Sequence, residues 1–164
     1  MIEYEKMRSV IASGLKNYLN CPVVRANQND EPPAYPYVSY TITTLMSENN
    51  GTYGEYDDGI DRKPITQTWS ISAQSDDSSE SVMLISKARE WFDRFGTTYL
   101  NDNNVIVQSI GSITNRDSIL TIEYEYKQGF DIDFWLFETV DTKSYDDGSG
   151  TIETAEINSQ QESG

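Results

Sequence analysis

The chain has 164 residues, 37% of them hydrophobic, and its 27 acidic and 12 basic side chains give a net charge of −15. That length suits one domain with its own core, and the lack of clustered Lys and Arg excludes a duplex-binding surface, which draws most of its affinity from phosphate neutralisation. Histidine is absent, so Ser-His-Asp and Cys-His nucleophile pairs are excluded and the commonest general base near neutral pH is missing.

Residues 3–19 predict an amphipathic helix, because Tyr4, Met7, Val10, Ile11, Leu15, Tyr18 and Leu19 recur with helical spacing while Glu3, Glu5, Lys6, Arg8 and Lys16 fall elsewhere. Asn20-Cys21-Pro22 ends it, since the residue before a proline avoids helical angles. Cys21 is the single cysteine; it cannot form an internal disulfide, which points to a reducing compartment. At a helix C-terminus its pKa is not lowered, so it reads as a small buried filler. Val23 and Val24 begin a short strand, and Asn27–Pro33 is a loop by composition.

From Tyr37 to Met46, β-branched and aromatic residues predict a strand with Val38, Tyr40, Ile42 and Thr44 on one face and Ser39, Thr41 and Thr43 on the other. A second strand, Ile65–Ala73, turns Trp69, Ile71 and Ala73 one way and Thr66, Thr68, Ser70 and Ser72 the other. The two are expected to pair antiparallel. Between them Ser47–Pro64 forms an eighteen-residue arm with Tyr53 and Tyr56, far longer than the usual hairpin loop of about two to five residues. Loops of that length are commonly functional, so the arm is a candidate contact surface.

Asp77, with Glu80 following it, has capping-box spacing and opens a second helix. Val82, Ile85, Ala88, Trp91, Phe92 and Phe95 form its apolar stripe, read as core, and Gly96 is expected to stop it in a left-handed conformation. Val105–Ile113 predicts a third strand. Asn115–Ser118 is expected to turn the chain into a fourth, Ile119 to about Leu136, in which Gly129 signals a bend, a bulge or a close backbone approach. After Val140 the composition changes: residues 141–164 hold six acids against Lys143. Too apolar-poor to offset its chain entropy alone, this tail is expected to be held by a neighbouring subunit. The fold class is therefore α+β. It comprises a mainly antiparallel sheet of about four strands with two helices on one face, a long hairpin arm, a domain over 1–140 and an acidic tail over 141–164.

Carboxylates are the remaining catalytic currency. Asp131 and Asp133 share a strand face, an arrangement open to a shared cation or an acid/base pair, but the pattern reads first as solvated acids on an exposed or interfacial strand. Asp57–Asp61 only faintly resembles a calcium loop, lacking alternate acids before its glycine and a closing glutamate. Zinc is disfavoured without imidazole, and no phosphate- or dinucleotide-binding glycine pattern occurs. Tyrosine is abundant, with Tyr35, Tyr37 and Tyr40 clustered beside Pro32, Pro33 and Pro36; its large area and polar tip suit protein interfaces, though strands also favour it.

Three stretches carry a resemblance: Pro33–Ile42 (PAYPYVSYTI), the Trp91-Phe92 helix, and Ile113–Asp117 (ITNRD) followed by Tyr124–Asp133 (YEYKQGFDID). Over roughly residues 3–136 the chain resembles the neck or tail terminator proteins of tailed bacteriophages, which complete the tail and join it to the head. The resemblance implies a virion protein assembled in the host cytoplasm, a homo-oligomeric ring, usually a hexamer, that caps the tail tube and meets the head connector. It carries over no catalytic residue; the residues themselves call for no cofactor or metal, no apolar run approaches a membrane span, and the acidic charge is expected to let DNA pass through the channel without specific binding. Contact residues on this reading are Tyr35, Tyr37, Tyr53, Tyr56, Asp131, Asp133, Tyr145 and Ile152. Two other classes compete: an acidic inhibitor that mimics DNA phosphates, and a carboxylate hydrolase around Glu123, Asp131 and Asp133.

Overall fold

A computed structural model describes residues 4–48, 59–120 and 124–141. Tyr53, Tyr56, Tyr145 and Ile152, the 141–164 tail beyond Asp141 and most of the arm lie outside them. The chain divides into two compact units. The larger, Glu3–Asn50 with Pro64–Leu136, contains the helices of the described residues.

In this unit α1 (Tyr4–Leu19) buries Met7, Ile11 and Leu15 of the line its periodicity predicts, while Tyr18 of the same line is exposed. Asn20 follows at a positive φ of 54° and its N–H reaches the Lys16 carbonyl at 2.8 Å, so the left-handed residue there is an asparagine. The chain then enters β1 (Val23–Arg25), which pairs parallel with β2 (Tyr37–Glu48), Val23 opposite Val38. β2 pairs antiparallel with β3 (Ile60–Ser75), as expected, with register shifts between Ile42 and Thr44 and between Thr44 and Ser47. Gln67, fully buried on the inner face, answers the second irregularity. Its amide donates to the Leu45 carbonyl at 3.0 Å and its oxygen accepts from Trp69 Nε1 at 2.7 Å.

Asp77 caps α2 (Ser78–Glu90) by accepting the Ser79 N–H at 3.0 Å, while Glu80 accepts the Ser75 hydroxyl instead of closing a capping box. The buried side chains of α2 are Ser81, Leu84, Ile85 and Ala88; Val82 and Phe95 of the expected stripe are exposed, Phe95 at 61%. The reason is a phase change. Trp91–Phe95 forms a π-helical turn, which winds less per residue than an α-helix and so rotates Phe95 out of the core. Nor does Gly96 end the helix in a left-handed conformation: its φ is −95°, and α3 (Thr97–Asp102) follows directly. Gly96 is small for a different reason, since a Cβ there would lie 2.3 Å from the Trp91 indole; at Gly14 it would lie 2.4 Å from Tyr99.

The remaining strands are β4 (Ile106–Ile110), β5 (Thr114–Asn115), β6 (Ser118–Ile119) and β7 (Tyr124–Asp141). β4, β5 and β6 all pair antiparallel with β7, ending with Ile119 opposite Tyr124. The chain therefore reverses between Ile119 and Tyr124, and Asn115–Ser118, expected as the turn, is an irregularity within one long arm. Asp117 holds it: its carboxylate accepts the Lys127 N–H at 2.7 Å, taking the place of a backbone carbonyl. The sheet order is β1-β2-β3-β7-β4. Among the described residues the architecture is α+β with a mixed seven-stranded sheet and three helices. This corrects the four antiparallel strands and two helices expected, because a parallel edge strand, a split third strand and a short third helix leave little periodic signal.

The inner face is aromatic. Tyr40 stacks on Trp69 at 4.8 Å, Trp69 meets Phe134 edge-on at 5.6 Å, and Phe92 from the π turn contacts both Phe134 and Phe130 at 5.8 and 6.2 Å. Ile65, Ile71, Ile85, Leu100 and Ile132 fill around them, each almost fully buried. The second unit includes the strand ends Ile60–Lys63 and Phe137–Asp141; there Arg62 Nη1 donates to the Ile60 carbonyl at 3.4 Å.

Candidate functional site

Strand alternation sends the polar set of β3 to the face opposite the aromatic core, and β7 places Asp131 and Asp133 beside it. Three polar rungs result. Thr66 donates to Gln108 Oε1 at 2.8 Å. Thr68 and Ser109 both donate to the Asp133 carboxylate, at 2.6 and 2.9 Å, tying β3, β7 and β4 together. Arg116 spans the third, donating to Ser70 at 2.6 Å, to Ser72 at 3.2 Å and to Asp131 at 3.2 Å.

Gly129 is what lets Arg116 lie there. A Cβ at that position would fall 2.5 Å from Arg116 Nη1 and 2.7 Å from the Ile71 carbonyl oxygen. The mid-strand glycine thus marks a close approach, one of the alternatives its position suggests. Arg116 itself carries no such signal in sequence; only the Asn115-Arg116-Asp117 cluster hints at local side-chain pairing, with Asn115 Oδ1 accepting the Asp117 N–H at 2.7 Å.

Asp131 and Asp133 are thereby engaged separately, one with a guanidinium and the other with two hydroxyls. Their oxygens face different partners, an arrangement suited to cross-linking strands. Among the described residues no group of three or more His, Cys, Asp or Glu side chains could hold a metal ion. Cys21 is half-buried, and burial pushes its thiol pKa up, away from nucleophilic character.

Tyr35 and Tyr37 stack at 5.8 Å, and the Tyr35 hydroxyl donates to Glu125 at 2.8 Å. Tyr37 is 8% exposed and Tyr35 half-buried, so within one chain they fasten the 31–36 loop over the polar end of the sheet. Burial raises the Tyr37 hydroxyl above its ordinary pKa, and the Glu125 charge adds to the effect. Beneath them Gln74 Nε2 donates to Ser39 at 2.6 Å.

Several apolar side chains lie outside the core, Val82 of the expected α2 stripe among them. Ile119 is 84% exposed, with Leu120 and Tyr124 beside the hairpin reversal, and Val82 and Met83 lie on α2. A groove of about 330 Å³ runs between Arg89, Phe92 and Thr97 on one side and Val107–Ile110 of β4 on the other. No helix among the described residues is long and apolar enough to cross a membrane.

A family model described as phage neck terminator protein matches residues 9–164. No curated protein matches the chain. One solved structure aligns at 12% identity over 82% of this chain and 96% of its own, with a TM-score of 0.39.

Proposed function

The chain belongs to the phage neck terminator family, structural proteins of the bacteriophage virion, and on that premise we propose that it is a ring subunit that does no chemistry. Copies of it, six in number, close a homo-oligomeric ring that ends the tail tube and meets the head connector. The family match over almost the whole chain is the observation that carries this reading.

The physical features accord with it. Cross-strand hydrogen bonds fix the outer sheet face, so it can present a shaped surface without rearranging on contact. Asp131 and Asp133 serve that face, with Tyr35 and Tyr37 shaping its edge. The arm, with Tyr53 and Tyr56, and the 141–164 tail, a segment separate from the 1–140 domain and carrying Tyr145 and Ile152, reach neighbouring subunits or the next ring. Excess negative charge lines the channel and keeps passing DNA from adhering, because like charges disfavour lingering contact.

Negative-stain imaging of the purified protein with and without isolated tail tubes tests this. Rings alone, and rings seated on tube ends, are expected. Tubes left uncapped in excess protein would overturn the reading.

A further inference from the structure

The sheet ends at β4, whose outer edge pairs with no further strand among the described residues. An unpaired edge offers a row of backbone donors and acceptors to an incoming strand. Beside this edge lies the groove, with Phe92, Val107 and Ile110 as its apolar floor and Arg89 at its rim. Arg89 donates to the Gly111 carbonyl at 3.1 Å, which fixes the guanidinium at the end of β4. Lys87 and Arg94 stand on the same helix and π turn; Asp93, also at the groove, pairs with Arg94 at 3.7 Å. With Asp93 paired to Arg94, Arg89 is the lining charge left to meet an acidic occupant.

One segment of the same chain has the matching chemistry. Residues 142–164 carry five acids and one base. Within them Thr151–Ile157 reads T-I-E-T-A-E-I, where Thr151, Ile152, Thr154 and Ile157 are β-branched, the residue types that suit strands. Ile152 is a large apolar side chain flanked by hydroxyl and carboxylate neighbours, the pattern of a single anchor carried on a soluble strand.

We propose that residues 151–157 of a second copy add as a strand to the outer edge of β4, with Ile152 seated in the groove over Phe92, Val107 and Ile110 and the tail's acids facing Arg89. The contact is heterologous: one copy's tail meets the next copy's sheet edge, so the same contact repeats from subunit to subunit until a ring closes. It rests on the assembly reading above and names the surface that receives the tail.

The test uses full-length chains in a Cys21→Ser background. One carries Ile152→Cys, the other Ile110→Cys, with Thr97→Cys as a second acceptor at the groove should Ile110→Cys fold poorly. The two are mixed, oxidised and run without reductant, and Asn29→Cys in the distant 27–33 loop is the control acceptor. Because each chain has one thiol, a heterodimer reports a contact between copies. A docked tail raises the effective thiol concentration to the millimolar range, so roughly ten-fold more heterodimer than the control is expected. Arg89→Glu in the acceptor should lower that yield. Assemblies intact by light scattering that give no more heterodimer than the control would overturn the docking and leave the assembly standing. A chain that stays monomeric at the same concentrations would overturn both.

Discussion

On one face of the sheet Trp69, Phe134, Phe130 and Phe92 meet ring to ring, while on the other Thr68 and Ser109 meet through the carboxylate of Asp133. The first face is held by area removed from water, which is large and non-directional. The second is held by directed bonds, each of small net worth because water competes for the same groups. A packed face supplies stability; a hydrogen-bonded face supplies a fixed pattern of donors and acceptors at little cost in solubility. On the ring-subunit reading proposed above, the division separates what keeps the protein folded from what it presents.

Substitutions on the two faces should therefore differ in size. Phe134→Ala, on the aromatic side, is expected to cost about 4 kcal/mol by chemical denaturation, the loss typical of a buried ring and the cavity it leaves. An equal loss at Asp133→Ala would contradict the contrast. Gly129→Ala comes next, at about 3 kcal/mol, because the new methyl meets the Ile71 carbonyl, which belongs to the backbone and cannot swing aside.

Arg116→Ala should cost about 2 kcal/mol, since it leaves Ser70, Ser72 and Asp131 without their shared donor. In the Arg116→Ala background, Gly129→Ala should lose part of its penalty, a coupling that a double-mutant cycle reads directly. Asp77→Ala should cost about 1 kcal/mol through the lost helix cap.

The smallest effect is alkaline. Tyr37 has its folded pKa raised by burial and then by Glu125, so folding favours the neutral phenol. The stability this gives is present below the unfolded tyrosine value and is lost as pH rises through the folded one. Tyr37→Phe should flatten the decline in stability between about pH 9 and 12.

The aromatic face was largely legible in the sequence, and the polar face only in part. Period-two alternation in Ile65–Ala73 and helical spacing in α1 identify buried side chains directly, because each follows from local geometry. The Trp91–Phe95 turn defeated that logic, since the extra residue of a π turn shifts the phase and exposes Phe95. Asn115–Ser118 misled in another way. Its composition signals a turn, yet Asp117 uses its side chain to continue the pairing with Lys127. Arg116 had no signal of its own; Gly129 recorded its presence from the opposite strand, their separation of thirteen residues in chain order being irrelevant once the hairpin closes. Gln67 is likewise a tertiary fact, explained by the β2 irregularity it serves.

The site residues divide along similar lines. Asp131 and Asp133 share the face their parity predicted, but what each does depends on Arg116, Thr68 and Ser109, which arrive from other strands. The Tyr35–Tyr37 stack follows from their spacing and the intervening Pro36, whereas the Glu125 partner lies ninety residues away.

The mass of the purified full-length chain in solution bears most directly on the claim that this is a ring subunit. Native mass spectrometry or light scattering should find a species six times the 18.6 kDa of one chain, formed without nucleic acid. A single species of 18.6 kDa at every concentration, and in the presence of tail tubes, would contradict it.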